Sequence, residues 1–154
     1  MLTMRHFSLL LLFLTWTAAC GSDSNDNPYA PSEGHPEASL NIPFSTTDLR
    51  VGTGSAAANG QRLTVAYTGW LYDPNVFPDY KGKVFDSTTA ASPFQFTLGN
   101  GTVIAGWDQG LVGMRVGGLR RLIIPTELGY GTSGTGPIPG NATLLFEVEL
   151  LGLD

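Results

Sequence analysis

Aromatic and branched apolar side chains recur at short intervals between residues 67 and 146, and a single carboxylate, Asp86, lies among them. Side chains of this kind suit either a globular core or an apolar pocket with a few polar groups. Several lie beside turns, and their order and surroundings favour the pocket. The positions concerned are Tyr67, Phe85, Phe94, Phe96, Val103, Ile104, Trp107, Tyr130, Ile138 and Phe146.

The residue types missing from the same region limit the chemistry of such a pocket. The histidines are His6 and His35 and the one cysteine is Cys20, so neither type occurs from position 44 onward. This excludes Ser-His-Asp and Cys-His nucleophile systems, and zinc sites built from His or Cys. The glycines at 131, 134 and 136 lack the Lys-Ser/Thr of a phosphate-binding loop. A carboxylate pair stays formally open; otherwise the pattern indicates chemistry without a strong nucleophile, a metal or a cofactor.

Four segments have the apolar patterns that are typical of strands, namely residues 62–68, 94–98, 120–124 and 144–150. In the last of these, we expect Phe146 and Val148 to face the core and Glu147 and Glu149 to face solvent. Gly, Pro, Asn and Asp separate the segments, as is usual between strands.

One segment has helical spacing instead. Val103, Ile104, Trp107, Leu111 and Met114 recur every three or four residues, which predicts an apolar stripe on a short helix. Glycines at 106, 110 and 113 each disfavour that helix by about 1 kcal/mol relative to alanine, so it must depend on packing. A sheet covering one short helix is the simplest architecture, which belongs to the α+β class.

Residues 1–19 are predicted to be an export signal. Arg5 precedes an apolar run from Phe7 to Trp16, which is shorter than the roughly 20 residues of a membrane span, and small residues follow it. Cys20 comes next and resembles the lipobox cysteine of bacterial lipoproteins, although Thr17 stands where an aliphatic residue is usual. Lipidation of Cys20 would tether the mature protein to a membrane. The alternatives are an ordinary signal with an incidental cysteine, or a free thiol.

Residues 20–43 are predicted to comprise the lipidated Cys20 and a flexible stalk, and residues 44–154 one folded domain. The stalk nearly lacks large apolar side chains, so it cannot bury enough surface to offset its ordering entropy. The chain has 8 Lys and Arg against 13 Asp and Glu, a net charge of −5, which argues against nucleic acid binding. Gly21-Ser22 lacks the aspartate that signals inner-membrane retention in some bacteria, which favours the outer membrane facing the periplasm.

Seven short motifs, in order, resemble those of FKBP-type peptidyl-prolyl cis/trans isomerases in a bacterial lipoprotein form, over essentially all of residues 48–154. The resemblance implies a curved antiparallel β-sheet wrapped around one short α-helix, with the pocket between them. This agrees with the strand and helix patterns. The motifs are Val65-Ala66-Tyr67-Thr68-Gly69, Val84-Phe85-Asp86-Ser87, Pro93-Phe94-Gln95-Phe96, Gly99, Val103-Ile104-Ala105-Gly106-Trp107, Gly129-Tyr130-Gly131, and Ala142 to Leu150.

The resemblance also implies roles for individual residues. Trp107 would form the pocket floor, Asp86 and Tyr130 its polar groups, with the Ile104 N–H as a further donor, and Ile138 would close the rim. Core packing is the alternative for each aromatic ring, a surface position for Tyr130, and the capping of a turn for Asp86. The implied catalytic set is Tyr67, Phe85, Asp86, Trp107, Tyr130 and Phe146; the implied substrate-binding set is Phe94, Phe96, Val103, Ile104 and Ile138.

Two departures from the family pattern bear on the site and its surroundings. Many members carry an arginine after Phe-Asp-Ser, but residues 88–92 here are Thr-Thr-Ala-Ala-Ser, so Asp86 would depend on the Tyr67 hydroxyl and water. The segment at residues 72–84 is longer than in the smallest members and brings three extra aromatics. It is either a lid, a partner surface, or an ordinary loop.

The resemblance implies a monomeric enzyme that accelerates rotation about X-Pro bonds in exported polypeptides, without a cofactor, and a pocket open to macrolides of the FK506 or rapamycin class. Two rival functions fit the same residues. One is a catalytically weak chaperone or peptide-binding module of the cell envelope. The other is a structural envelope lipoprotein in which the pocket residues serve only as core.

Overall fold

The computed structural model of the chain describes residues 42–154, so the expected signal, Cys20 and nearly all of the stalk lie outside the described residues. An antiparallel sheet of six strands and one short helix confirm the predicted α+β class. A 3₁₀ helix, Thr126–Leu128, follows the fifth strand. The strands are β1 (Ser45–Arg50), β2 (Arg62–Tyr72), β3 (Lys81–Ser87), β4 (Phe94–Thr97), β5 (Leu119–Ile124) and β6 (Leu144–Leu153); the helix is α1 (Ala105–Gly110).

The long strand β2 organises the sheet. The strand order is β1-β5-β6-β2-β3, and β4 also pairs with β2. The first half of β2 pairs with β4, from Arg62 to Val65, and the second half pairs with β3, from Thr68 to Tyr72. Along its other side β2 pairs with β6, where Gly69 lies opposite Phe146. Residues from three strands therefore meet beside the middle of β2.

The core lies between the inner face of the sheet and α1. Leu63 and Val65 of β2, Val148 of β6 and Leu122 of β5 are fully buried there. A helix of six residues is unstable alone, so α1 depends on this contact. The glycines of α1 permit it: a Cβ on Gly106 would lie 2.5 Å from Ile124 of β5.

The helix is shorter than the apolar spacing predicts. Ile104 has an extended backbone and precedes the first helical residue, and Leu111 caps the last turn. Gly113 has φ +75°, which a continuing right-handed helix cannot accommodate. Leu111 and Met114, in the turn after α1, are buried nevertheless and belong to the core cluster.

The outer face of the sheet is more covered than the alternation in β6 predicts. Phe146 and Val148 are buried and Glu147 lies on the opposite face, as expected, but the Glu147 side chain is only 17% exposed because it contacts Lys81 at 3.0 Å and Arg121 at 2.7 Å. Glu149 is closer to the expected solvent exposure, with 39% of its side chain exposed. Lys81, the first residue of β3, also lies 4.6 Å from the Trp70 ring centre. The outer face thus carries a layer of paired charges.

The segment at residues 72–84 is only partly a loop, since β2 ends at Tyr72 and β3 begins at Lys81, and aromatic rings hold the part between the two strands. Tyr72 and Tyr80 stack with ring centres 5.3 Å apart, and Phe77 meets Tyr80 edge to face at 6.1 Å. Phe77 is 80% exposed. Asp73 accepts a hydrogen bond from the Asn75 N–H at 2.9 Å, which forms the first turn of the loop.

Candidate functional site

Trp107 lies at the centre of a cluster of aromatic rings. It is the third residue of α1 and only 4% exposed, as a pocket floor requires. The ring centres of Tyr67, Phe146, Phe96 and Phe94 lie 4.9, 5.3, 5.5 and 6.2 Å away. Tyr67 and Phe146 meet the indole nearly at right angles, at 89° and 82°, the edge-to-face arrangement that aromatic pairs favour.

Phe85 joins this cluster through a second ring. It contacts Phe146 edge to face, with ring centres 5.4 Å apart. The space for both rings comes from Gly69 of β2, because a Cβ there would lie 2.7 Å from Phe85 and 2.8 Å from Phe146. The role of Gly69 was missed from the sequence; a glycine inside a strand pattern is a signal of such close approach.

The polar edge of the cluster is a pair of side chains on adjacent strands. The Tyr67 hydroxyl donates a hydrogen bond to Asp86 Oδ2 at 2.5 Å. Asp86 Oδ1 accepts the N–H of Ser87 at 2.8 Å, so Asp86 also has the local capping role expected of a turn residue. Burial, and then the bond to Asp86, raise the pKa of Tyr67 well above its ordinary value. The phenol therefore stays protonated and can donate at neutral pH.

The charge of the same carboxylate also acts on Tyr130. Tyr130 is 38% exposed, and burial followed by the charge of Asp86 raises its pKa. Within residues 42–154 neither the Tyr130 hydroxyl nor the Ile104 N–H makes a hydrogen bond. Each is a donor that a bound carbonyl could use.

The apolar side chains expected to line the pocket are distributed differently. Val103 and Ile104 are half-buried and pack against the core cluster that contains Trp107. Phe94 is 37% exposed, whereas Phe96 is 6% exposed. Ile138 is also 6% exposed and belongs to the core cluster. The open surface is thus formed by Phe94, Tyr67, Phe85, Ile104 and Tyr130 around the buried indole.

The indole nitrogen of Trp107 has an unusual environment. It is the one buried side-chain N or O atom in residues 42–154 without a hydrogen-bond partner. Leaving such a group unpaired costs about 1–3 kcal/mol.

Asp108 positions the loop beside the pocket, a role that its sequence context did not suggest. Its two carboxylate oxygens accept the N–H groups of Gly99 and Gly101 at 2.8 and 2.9 Å. Gly99 and Gly101 both have positive φ, at 74° and 67°. Because Val103 and Ile104 follow this turn directly, the Asp108 carboxylate fixes the position of the Ile104 N–H relative to Trp107.

Asp86 has no ion-pair partner among the described residues. The part of the chain from 42 to 154 also lacks any group of three or more His, Cys, Asp or Glu side chains able to hold a metal ion. No described helix has the length and apolar character needed to cross a membrane. The arrangement can bind an apolar ring on Trp107 and donate hydrogen bonds to carbonyl groups beside it.

Comparison with known proteins assigns this arrangement to a family. The family model described as FKBP-type peptidyl-prolyl cis-trans isomerase matches residues 53–151. The chain belongs to this family.

Individual relatives agree with the family match. The "FK506-binding protein" of Neisseria meningitidis serogroup B is 50% identical over 106 residues, covering 68% of this chain and 90% of the relative. The "FK506-binding protein 4" of Neurospora crassa is 51% identical over 104 residues, also 68% of this chain. The matched segment amounts to 21% of that fungal relative.

A solved structure supports the same fold. The crystal structure of a peptidyl-prolyl cis-trans isomerase from Pseudomonas syringae aligns with a TM-score of 0.60 and 37% identity, over 72% of this chain and 75% of that one.

Proposed function

We propose that this protein is a peptidyl-prolyl cis/trans isomerase that accelerates rotation about X-Pro bonds in exported polypeptides. The observation that carries the proposal is the buried Trp107 indole, which has aromatic rings on several sides and the Tyr67–Asp86 pair beside it. Membership of the isomerase family supports it.

The proposed mechanism needs no covalent step. An X-Pro amide rotates slowly because rotation breaks its resonance, at a barrier of about 18–20 kcal/mol, while cis and trans differ by only about 0.5–1 kcal/mol. The planar amide is more charge-separated than the twisted one, so an apolar, desolvated site favours the twisted form. The prolyl ring would lie on Trp107.

Hydrogen bonds would direct binding energy into that form. The Tyr130 hydroxyl and the Ile104 N–H are unpaired within residues 42–154 and would hold the carbonyls that flank the proline. Interactions that are stronger in the twisted state than in either planar state lower the barrier. A pocket without histidine or cysteine is sufficient for this chemistry.

The experiment is exchange NMR on acetyl-Ala-Leu-Pro-Phe-amide, which follows cis/trans interconversion directly. We expect the wild type to accelerate exchange, and Phe85→Ala and Trp107→Leu to lower kcat/KM about tenfold or more, equivalent to at least about 1.4 kcal/mol of barrier. Phe77→Ala is the matched control, because Phe77 lies in the loop between β2 and β3 and is 80% exposed. Background exchange with a correctly folded wild type would overturn the proposal.

A catalytically weak peptide-binding module is the second candidate. Asp86 has no cationic partner in residues 42–154, so only Tyr67, Ser87 and solvent orient it. This candidate predicts that proline peptides shift the NMR signals of the pocket while exchange stays at background. Absence of both binding and exchange would leave the structural lipoprotein as the remaining function.

We also propose that Cys20 carries a lipid that tethers the domain to the outer membrane, facing the periplasm. The support is the apolar run before Cys20 and the small residues directly preceding it. Mass spectrometry of the mature N-terminus tests cleavage and acylation together. Cys20→Ala should release the protein from the membrane fraction.

A macrolide of the FK506 or rapamycin class is a proposed ligand, since the relatives carry the name FK506-binding protein. It should inhibit exchange in the wild type, and more weakly in Trp107→Leu.

A further inference from the structure

Charged side chains are sparse in the segments that surround the pocket in residues 42–154. Residues 87–107, which include the loops after β3 and before α1, contain no Asp, Glu, Lys or Arg. Residues 128–146, which carry Tyr130 and Ile138, contain none either. Asp108 follows the first of these ranges, but both of its carboxylate oxygens accept backbone N–H groups, from Gly99 and Gly101. Asp86 is therefore the one charged residue within the two ranges and β3 that borders the aromatic cluster through a hydrogen bond to one of its rings.

The cationic side chains of β2 and β3 do not pair with Asp86. Lys81 pairs with Glu147 on the outer face at 3.0 Å, and Arg62 donates to Gln95 at 3.0 Å. Lys83 precedes Asp86 on β3, is exposed, and forms no ion pair with any described residue. The charge of Asp86 is therefore not neutralised by the protein between residues 42 and 154.

The carboxylate can accept further donors. Tyr67 occupies one lone pair of Oδ2, and the Ser87 N–H one of Oδ1. An ionised carboxylate offers about four such sites, so each oxygen keeps one. Asp86 is also exposed. A donor on a bound peptide can reach it without displacing Tyr67.

We propose that Asp86 is a specificity-determining residue that selects polypeptides with a lysine or arginine directly beside the proline. The inference rests on the proposed function and names the substrate class of that site. A cationic side chain next to the proline would meet an unpaired carboxylate, and an acidic one would be repelled by it. Apolar walls concentrate the field of a charge at such a cleft.

The size of the preference is bounded by exposure. Ion pairs at exposed positions contribute roughly 0.2–1 kcal/mol, which corresponds to about a 1.4- to fivefold change. We expect a lysine peptide to have a kcat/KM about two- to fivefold above that of its neutral counterpart, and a glutamate peptide to fall below it. The Debye length is about 3 Å at 1 M salt, so the difference should nearly vanish there.

The test compares two peptide series with the full chain. The first is acetyl-Ala-X-Pro-Phe-amide and the second acetyl-Ala-Leu-Pro-X-amide, where X is lysine, norleucine or glutamate. Norleucine keeps the unbranched stem of lysine and removes the charge. NMR titration gives Kd and exchange NMR gives kcat/KM for every peptide.

Two pairs of variants separate the charge of Asp86 from other effects. Asp86→Asn should remove the lysine preference, whereas Asp79→Asn should keep it, because Asp79 lies in the loop between β2 and β3 with 58% of its side chain exposed. Ala91→Arg places a cation in the exposed turn after Asp86 and should cancel the preference, whereas Ala91→Gln should keep it.

The outcomes distinguish this inference from the proposed function. If exchange is accelerated but kcat/KM is equal for the lysine and norleucine peptides, the inference is overturned and the proposed isomerase function stands. The same holds if the lysine preference survives in Asp86→Asn. Tighter binding of lysine peptides without accelerated exchange supports the inference and overturns the isomerase. Failure of every peptide to bind overturns both.

Discussion

The hydroxyl of Tyr67 and the carboxylate of Asp86 are joined by a hydrogen bond of 2.5 Å that links β2 to β3 at the edge of the aromatic cluster. The same Tyr67 ring lies 4.9 Å from the centre of Trp107. One side chain therefore connects the Trp107 indole to the Asp86 carboxylate. The properties of that phenol should be visible in both stability and pH dependence.

We expect Tyr67→Phe to weaken the loss of stability at alkaline pH. Burial and Asp86 raise the pKa of Tyr67, so the folded chain holds the phenolic proton more tightly than the unfolded chain, whose tyrosines titrate near pH 10. This stabilisation is complete below about pH 10 and is lost as pH rises toward the folded pKa. Solvent at the pocket mouth screens part of it, so the slope should become shallower by less than about 1 kcal/mol per pH unit.

Urea unfolding at pH 8 to 11 measures this slope. Tyr130 and Tyr72, whose pKa values are also raised, keep part of the alkaline dependence in the variant. If the free energy of unfolding falls with pH equally steeply in the wild type and in Tyr67→Phe, the raised pKa of Tyr67 is contradicted.

Gly69→Ala should damage the pocket through two rings at once. The new Cβ would lie within 2.8 Å of both Phe85 and Phe146, so one ring must move. Overpacking of this kind costs about 1–3 kcal/mol, and we expect a parallel fall in kcat/KM. Gly152→Ala is the matched control, since a Cβ at that β6 glycine meets nothing within 4 Å and should change stability by less than about 0.5 kcal/mol. Equal behaviour of the two variants would be inconsistent with the packing described.

Asp108→Asn should loosen the turn before α1. The carboxylate accepts two backbone N–H groups, from Gly99 and Gly101, and an asparagine amide can accept only at its oxygen. We expect faster hydrogen exchange at one or both of these amides, and a higher KM, because the Ile104 N–H follows this turn. Gln109→Ala is the control, since Gln109 is the exposed neighbour of Asp108 in α1. Unchanged exchange at both glycines would refute the positioning role.

Glu147→Gln should destabilise the fold without altering the pocket. Its carboxylate is 17% exposed and contacts both Arg121 and Lys81, so removing its charge leaves Lys81 without an acidic partner in residues 42–154 and Arg121 with only the more distant Asp79, at 3.5 Å. We expect a loss of about 1–2 kcal/mol in urea, against less than about 1 kcal/mol for Glu149→Gln, whose carboxylate is 39% exposed. A change in kcat/KM under conditions where the variant is fully folded would contradict this, because it would show that the charges of the outer face influence the pocket.

Strands β2, β4 and β6 could be predicted because apolar and polar residues alternate along them, and β5 because of the apolar run at its end. Strand β1 has no such signal, since all six of its residues are exposed, and it is held by backbone pairing with β5 and by the contact between Asp48 and Arg120. Strand β3 was missed as a pattern for a related reason: Phe85 is its only half-buried aromatic among lysines and a glycine. Periodicity detects burial, and these strands bury little.

The aromatic cluster could be predicted only from the order of its motifs. Spacing along the chain carries no information on which rings meet, because Tyr67, Trp107 and Phe146 come from separate elements. The close approach of Phe85 and Phe146 depends on Gly69 having no side chain, and the sequence does not show which rings fill that space. The burial of Glu147 likewise depends on Arg121 of a neighbouring strand and on Lys81.

The position of β1 at the sheet edge has a mechanical consequence. If the residues before Ser45 lead to a lipid, as proposed, any pull from the membrane enters the domain through β1, and β5 separates β1 from the strands that carry the aromatic cluster. Tension would be borne first by the hydrogen bonds between β1 and β5 and by the ion pair of Asp48 and Arg120, in which Oδ1 and Nε lie 2.6 Å apart. An anchor at that end would thus let β1 detach before the aromatic cluster is distorted. Single-molecule pulling from the N-terminal side, with a peptide bound, would register this as an early step without ligand release.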